Sequence, residues 1–258
     1  MTRADGLKLL TALALLVAVA LDGVSLLSIG GPLLIFGLLV LHGVFVPQSG
    51  LLLPVIDRVA TDRMQVALTF DDGPDPQVTP AVLEALAAAG ARATFFVIGR
   101  NLRAHPELGR QIVAAGHELA NHSDAHPRTL NLRGTQTMQA EISRGAEAVQ
   151  AMTGQPARLY RPPIGLKSPP LARVARRLGL QVVMWSCHAR DTGSASAAQI
   201  AARVLGRVRP GDIVLLHDGH DRAGTRRAQT AEAVQGILAG LKARGLEAVT
   251  VSELLQAS

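Results

Sequence analysis

The sequence is poor in the residues that mark several common classes of protein. Its 258 residues contain one cysteine, Cys187, so no intrachain disulfide forms and a disulfide-stapled fold is excluded. Aromatic residues are scarce (five Phe, one Trp, one Tyr), too few for base-stacking platforms, and no nucleic-acid-binding motif is present. We therefore expect no nucleic-acid partner, and nothing in the sequence indicates an obligate protein partner.

Formal charge is almost missing from the first part of the chain. Between residues 9 and 56 the only formally charged side chain is Asp22, whereas the rest of the chain carries nearly all of the 26 basic and 20 acidic residues. Residues 9–27 alone would make a helix of about 28 Å, close to the hydrocarbon thickness of a bilayer. This contrast predicts a membrane anchor in residues 1–60 and a soluble domain in residues 61–258.

Three interpretations of the apolar block remain open. A cleaved signal peptide would use Arg3 and Lys8 as its basic region, residues 9–17 as its apolar region and residues 18–20 as its cleavage site. A single membrane-spanning anchor is the second interpretation. The third is a hairpin of two spans broken by the Gly and Pro of residues 28–32, with a short second span of about 21 Å.

Basic residues flank the apolar block on both sides. Arg3 and Lys8 precede it, Arg58 and Arg63 follow it, and no Lys or Arg lies inside it. The positive-inside rule then places both ends of a hairpin in the cytoplasm. For an anchor of the bacterial inner-membrane type, this favours a soluble domain facing the cytoplasm over an extracytoplasmic one.

From residue 65 onward, short β-rich runs alternate with helical segments. Helical segments end before Gly90, Gly116, Gly154, Gly179 and Gly245, the position where a helix commonly finishes in a left-handed glycine. Such alternation predicts an α/β fold with parallel strands, favouring a closed or nearly closed β/α barrel over an open doubly wound sheet. The expected strands are residues 65–70, 93–98, 117–120, 158–161, 181–185, 212–217 and 247–251.

Ionisable side chains follow four of these strands. The first strand ends in Asp71 and Asp72, the third leads to His122, the fourth to Arg161 and the sixth to His217. Chemistry in β/α barrels lies at the carboxyl ends of the strands, where these side chains would converge.

Two of the histidines have the spacing of metal ligands. His122 and His126 stand at i and i+4, which on a helical turn lets both imidazoles reach one ion. With the Asp71–Asp72 pair they supply a carboxylate and two imidazoles, a set that leaves positions open for water and substrate.

The segments around these residues resemble the signature motifs of the polysaccharide deacetylase (NodB-homology) family, a carbohydrate esterase type. The fourth motif in chain order is matched loosely, and the five together span about residues 65–251. They are Thr69-Phe70-Asp71-Asp72-Gly73-Pro74, Asn121-His122-Ser123-Asp124-Ala125-His126-Pro127, Arg161-Pro162-Pro163-Ile164-Gly165, Trp185-Ser186-Cys187-His188-Ala189-Arg190-Asp191 and Val214-Leu215-Leu216-His217-Asp218.

The resemblance implies a distorted (β/α)7-type barrel and metal-dependent hydrolysis of an N-acetyl group on a sugar. It implies that a divalent metal, Zn²⁺ before Co²⁺, Ni²⁺ or Mn²⁺, is held by three residues: Asp72, His122 and His126. It also assigns a role to four catalytic residues: Asp71 as general base, Arg161 as its ion-pair partner, His217 as general acid and Asp191 as the residue that orients His217.

The chemistry of amide hydrolysis needs these roles. An amide is a poor electrophile, so a metal polarises it and activates water, and an amine departs only once protonated. The oxyanion needs a hydrogen-bond donor, for which we expect the backbone near Ile164, with Leu216 as a second substrate contact.

Two positions depart from the family pattern. Ile164 and Thr192 replace aromatic residues that commonly wall a groove for a sugar chain. We therefore expect an acetylated amino-sugar glycan that is membrane-proximal or lipid-linked, and a long polymer only if the domain faces outward. The alternatives are hydrolysis of another C–N bond, in a formamide or cyclic amide, and a non-catalytic glycan-binding membrane protein. We interpret His188 and His220 as structural polar residues, and Trp185 as part of the core.

Overall fold

The chain begins with two antiparallel apolar helices. The computed structural model describes residues 3–220 and 227–256. Helix α1 spans Arg3–Asp22 and helix α2 spans Leu26–Phe45, and the two pack against each other. The chain reverses at Gly23, whose φ of 68° lies in the left-handed region, and Ser25 then caps α2 in a capping box with Ser28.

The position of this reversal corrects the expected hairpin. Residues 28–32 were expected to break the chain, but they lie inside α2, where Pro32 is accommodated in the helix. The second helix is therefore about 30 Å long rather than short. Within the described residues, Leu27–Phe45 is the one helix segment that is long and apolar enough to cross a membrane. Its leucines face outward, with 83% of Leu27 and 65% of Leu34 exposed, unlike a core helix.

The segment between α2 and the barrel packs closely onto the barrel. Leu52 and Leu53 are buried in one hydrophobic cluster with Met138 and Tyr160. Ile56 forms a parallel bridge with Val183. By its contacts this segment is therefore continuous with the barrel, and the helical hairpin itself ends at Phe45.

The barrel contains eight short parallel strands in one curled sheet. Their order is β5-β4-β3-β2-β1-β7-β6, with β8 paired to β1, and among the described strands β5 and β6 form the two free ends. This curled, incompletely closed sheet confirms the predicted barrel and excludes the open doubly wound alternative. The strands are β1 Gln65–Asp71, β2 Thr94–Val97, β3 Glu118–Asn121, β4 Leu159–Tyr160, β5 Gln181–Val182, β6 Cys187–His188, β7 Ile213–His217 and β8 Glu247–Val249.

Helices cover the outside of the sheet. All five helices expected in the barrel are present, whereas α4, α8, α10 and the two-residue strand β6 were not expected. Two 3₁₀ turns, Leu130–Leu132 and Pro163–Gly165, complete the loops. The helices are α3 Thr79–Ala88, α4 Gly99–Ala104, α5 Pro106–Ala114, α6 Thr135–Thr153, α7 Pro169–Arg177, α8 Ala197–Leu205, α9 Ala228–Ala243 and α10 Val251–Gln256.

Strand alternation decides which residues reach the barrel interior. On β1, Val66, Leu68 and Phe70 belong to the core beneath the helices, so Asp71 at the end of the strand faces the interior. On β7 the same parity sends Leu216 outward, into the core that contains Phe70. His217, one residue later, faces inward beside Asp71, with which it is paired in register. The fold thus brings Asp71 and His217 to one end of the barrel.

Candidate active site

The loop after β1 holds two buried carboxylates in different surroundings. Asp71 is the last residue of β1, whereas Asp72 has a φ of 73°, in the left-handed region that few non-glycine residues occupy. Asn101 donates a hydrogen bond to the Asp72 carbonyl at 2.8 Å, which holds this strained backbone. His126 and Ile164 also have positive φ, so three left-handed residues other than glycine line one site, as is common where geometry serves function.

Asp72, His122 and His126 form a buried cluster with the donor set of a metal site. Asp72 Oδ1 lies 3.5 Å from His122 Nε2 and 3.4 Å from His126 Nε2. One potential ligand atom from each residue lies within 4.8 Å of the others. Asp72 Oδ1 is buried and accepts no hydrogen bond from the residues described, a costly state that a cation would relieve. One carboxylate and two imidazoles fit a divalent ion of the zinc type.

Hydrogen bonds fix the His122 imidazole and the turn that carries His126. His122 Nδ1 lies 2.8 Å from the Arg161 carbonyl, which can only accept, so Nδ1 carries a proton and Nε2, the atom left to bind a metal, faces Asp72. The His126 backbone N–H donates to Ser123 Oγ at 3.1 Å, which holds the turn that carries its ring.

The carboxylates and imidazoles in this cluster stabilise each other's charged forms. Burial raises the pKa of the Asp72 carboxyl, but His122 and His126 outweigh it and hold that pKa below its usual range. Burial likewise lowers the pKa of His122, and the charges of Asp71 and Asp72 more than offset it, so the net shift is upward.

Asp71 is engaged by a guanidinium with a full set of partners. Arg161 Nη1 donates to Asp71 Oδ1 at 2.6 Å and to Thr69 Oγ1 at 2.8 Å. Its remaining nitrogens donate to the carbonyls of Val183 and Met184, and its plane lies 4.0 Å from the Phe96 ring centroid. Arg161 is completely buried, so this arrangement is rigid. It leaves Asp71 Oδ2 facing His122 Nε2, 3.7 Å away.

His217 is paired with Asp191 across the cavity. Its Nδ1 lies 2.9 Å from Asp191 Oδ1, and its backbone N–H donates to Asp191 Oδ2 at 2.8 Å. Thr230 Oγ1 also donates to Asp191 Oδ2, at 2.9 Å. Burial opposes the imidazolium, but the charge and hydrogen bond of Asp191 prevail and raise the pKa of His217 to about 9. Thr230, on α9, was not predicted because it is far from every motif.

Asp71, Asp72, His122, His126 and His217 open into one cavity of about 360 Å³, whereas the partners Arg161 and Asp191 are completely buried and do not line it. Ile164 lines this cavity and is 47% exposed. Leu216, the other residue predicted to contact substrate, is completely buried in the core and does not line the cavity, whereas its neighbour Leu215 does. The lining residues are Asp71, Asp72, His122, His126, Arg128, Ile164, Gly165, Trp185, His188, Thr192, Leu215, His217, His220 and Arg227.

The cavity also contains residues that were given no role from the sequence. Trp185 is buried, as expected, but it lines the cavity and its ring lies 5.8 Å from the Arg161 guanidinium. His188 and His220, interpreted as structural, both line the cavity. Arg128 and Arg227 were not singled out at all, since neither lies within a recognised motif.

Comparison with known proteins identifies the family. A family profile described as polysaccharide deacetylase matches residues 58–183. A peptidoglycan-N-acetylglucosamine deacetylase of Bacillus cereus is 39% identical over 201 residues, covering 77% of this chain and 92% of the relative. A chitooligosaccharide deacetylase of Azorhizobium caulinodans is 36% identical over 196 residues, covering 73% of this chain and 93% of the relative.

A solved structure agrees with these sequence matches. The Bc1960 peptidoglycan N-acetylglucosamine deacetylase superposes with a TM-score of 0.74 at 29% identity, covering 79% of this chain and 94% of the solved one. The profile match begins at residue 58, after the helical hairpin. The chain therefore belongs to the polysaccharide deacetylase (NodB-homology) family, whose members are hydrolases that act on N-acetylated amino sugars.

Proposed function

We propose that this protein is a metal-dependent deacetylase that hydrolyses the N-acetyl group of an amino sugar in a membrane-proximal or lipid-linked glycan. One observation carries the proposal: a metal-type cluster lines the same cavity as Asp71, which is paired with the buried Arg161, and His217, which is paired with the buried Asp191. The names of the relatives, which are deacetylases of peptidoglycan and chitooligosaccharides, support the reaction class.

Asp72, His122 and His126 are the proposed metal ligands, with Zn²⁺ the favoured ion and Co²⁺, Ni²⁺ or Mn²⁺ the alternatives. A divalent ion supplies Lewis acidity to the acetamido carbonyl and makes water a better nucleophile. The protein contributes the preset geometry: His122 is already in the tautomer that presents Nε2, and the buried Asp72 Oδ1 faces both rings.

Asp71 is the proposed general base. Arg161 occupies its Oδ1, which leaves Oδ2 to accept the proton from the attacking water. Because Arg161 is itself fixed by two carbonyls and a hydroxyl, Asp71 cannot turn away from the cavity.

His217 is the proposed general acid. Its Nδ1 is bonded to Asp191, so Nε2 carries the proton that passes to the amide nitrogen as the C–N bond breaks. A pKa of about 9 keeps the imidazole protonated at neutral pH before this step. Products are acetate and the amine, and the proton taken by Asp71 balances the one that His217 gives.

Ile164 is the proposed oxyanion contact. Its left-handed backbone, with a φ of 50°, turns the Pro163–Gly165 segment at the cavity rim, and we assign the backbone N–H there to the developing oxyanion.

The membrane-proximal substrate is proposed from the route of the chain. Directly after α2, Val46, Pro47 and Ser49 offer their carbonyls to the buried Lys167 ammonium at 2.6–2.9 Å. Gln48 donates to the carbonyl of Trp185, whose ring lines the cavity. Residues 46–49, which follow the hairpin, are thus hydrogen-bonded to the barrel beside the cavity. A hairpin anchored in a membrane would therefore hold the cavity near the bilayer. We propose an inner-membrane anchor with the domain on the cytoplasmic face, where lipid-linked sugar precursors are present.

The reaction is tested with the full chain in detergent. Tetra-N-acetylchitotetraose is incubated with protein loaded with Zn²⁺ or Co²⁺, and acetate and free amine are measured together. We expect equal amounts of both products, loss of turnover with a chelator and recovery when metal is restored. Metal-replete protein that released no acetate from any acetylated amino sugar, this one and sugar phosphates included, would contradict the proposal.

A further inference from the structure

The cavity wall carries more positive charge than the reaction uses. Among residues 3–220 and 227–256, the carboxylates that line the cavity are Asp71 and Asp72, and both already face cationic or metal-binding groups. The guanidinium of Arg227 lines the same space and has no part in the proposed proton transfers. A cationic group of this kind in a recessed site favours a ligand with negative charge.

Arg227 is a buried guanidinium with few hydrogen-bond acceptors. It is 5% exposed, and its described contact is a single hydrogen bond from Nη1 to the Thr192 carbonyl at 3.2 Å. Its Nε is buried without an acceptor, and no carboxylate pairs with it among residues 3–220 and 227–256. A buried guanidinium in this state is unfavourable because it has lost water without gaining an anion.

Arg161, in the same site, is a buried guanidinium whose hydrogen bonds are all made within the protein. It is also buried, yet it has a carboxylate, a hydroxyl and two carbonyls as acceptors. Burial alone therefore does not explain why Arg227 has so few hydrogen-bond acceptors. The difference is that Arg227 borders the open cavity, where a bound molecule can supply them.

The position of Arg227 fits a group attached to the sugar. It precedes α9, and its contact Thr192 directly follows Asp191, the partner of His217. Thr192 is also where an aromatic wall residue is missing. This side of the cavity therefore presents a guanidinium where a neutral sugar chain would be expected to find a ring.

We propose that Arg227 binds an anionic group carried by the substrate, a phosphate ester or a carboxylate, next to the acetylated amino sugar. This inference rests on the proposed function and specifies its substrate class. A guanidinium donates two parallel hydrogen bonds to such a group, and the unpaired Nε supplies one of those donors. The substrate would then be an anionic sugar conjugate rather than a neutral glycan chain.

The test compares three acetylated substrates with the metal-loaded full chain: di-N-acetylchitobiose, N-acetylglucosamine 1-phosphate and N-acetylmuramic acid. We expect the phosphate or the carboxylate substrate to be preferred in kcat/KM, and which of them is preferred identifies the anion. Arg227→Gln should lower kcat/KM for the anionic substrate about 10- to 100-fold, mainly through KM, because a hydrogen-bonded charge pair is lost. Turnover of the neutral substrate should change by less than about threefold.

Two further variants separate recognition from folding. Arg177→Gln removes an exposed arginine on α7 and is the matched control, expected to behave as wild type. Arg227→Lys keeps the positive charge but lacks the paired donors of a guanidinium, so it should retain part of the preference for the anionic substrate. Inorganic phosphate should inhibit the wild type competitively, and this inhibition should weaken in Arg227→Gln but not in Arg177→Gln.

Several outcomes would overturn the proposal. One is equal loss of neutral and anionic turnover in Arg227→Gln, another is a wild type without preference for charge, and a third is phosphate inhibition that persists in the variant. If Arg227→Gln does not fold, the wild-type preference and Arg227→Lys still decide. Wild-type protein that deacetylates none of the three substrates would count against the proposed function itself, a distinguishable result.

Discussion

Removal of the Asp191 carboxylate should move the pH dependence of turnover. Asp191→Asn keeps the size of the side chain but takes away the negative charge 2.9 Å from His217 Nδ1. The pKa of His217, now about 9, should fall towards its ordinary value of 6.5, because the largest interaction that opposes burial is removed and only the charges of Asp72 and Asp71 still oppose it. A shift of this size corresponds to about 3 kcal/mol of interaction with the imidazolium.

The effect on activity follows from the protonated fraction. At pH 8 a group with a pKa of about 9 is about 90% protonated, whereas one at about 6.5 is about 3% protonated. Loss of the acid form alone should thus lower kcat/KM about 30-fold at pH 8, and the basic limb of the profile should move down by about 2.5 pH units. A bound divalent cation lowers the pKa in both proteins, so they are compared at equal metal loading.

The assay is acetate release between pH 5 and 10 with metal content measured in each sample. Thr230→Val is the graded control, because it removes one hydrogen bond to Asp191 but leaves the charge. We expect its basic limb to move by less than about one pH unit. If the basic limb of Asp191→Asn coincided with that of the wild type, His217 would not be the group that must be protonated, and the reasoning would be refuted.

Three further predictions concern the core, the linker and the membrane. Leu216→Ala should lower the free energy of unfolding by about 2–5 kcal/mol, because it leaves a cavity in the core, and KM should not change. A large change in KM with normal stability would show that Leu216 contacts substrate after all. Lys167→Met should lower thermal stability, because three linker carbonyls lose their hydrogen-bond donor. Proteolysis between residues 46 and 50 should also become faster, and an unchanged digestion rate would contradict the role of Lys167 in holding this linker on the barrel. Protease added to intact spheroplasts should leave the domain uncut if it faces the cytoplasm, and cleavage without lysis would reverse the orientation.

The sequence predicted which ionisable residues converge in the fold, because they stand at strand ends. Asp71, His122, Arg161 and His217 are separated by long stretches of chain, and only the rule that parallel strands end on one face brings them together. The same rule, applied one step further, would have corrected Leu216: with His217 facing inward, Leu215 faces inward and Leu216 outward.

Other features depend on contacts that local sequence does not encode. The hairpin turns at Gly23, not at the Gly and Pro of residues 28–32, because Ser25 caps α2 and Pro32 fits inside a helix that packs on its neighbour. Strand β6 has two residues, too few for any periodic pattern. Arg227 belongs to no motif, and only its burial beside the cavity draws attention to it.

The central claim is that adjacent carboxylates divide the work, Asp72 holding the metal and Asp71 taking the proton. It is tested by measuring metal content and acetate release in the same samples of Asp71→Asn and Asp72→Ala, with Asp62→Ala, an exposed acid outside the site, as control. We predict that Asp71→Asn keeps a full equivalent of metal and loses turnover about 10²- to 10⁴-fold, while Asp72→Ala loses both metal and turnover. Near-normal turnover in metal-loaded Asp71→Asn, or a full equivalent of metal in Asp72→Ala, would contradict the account.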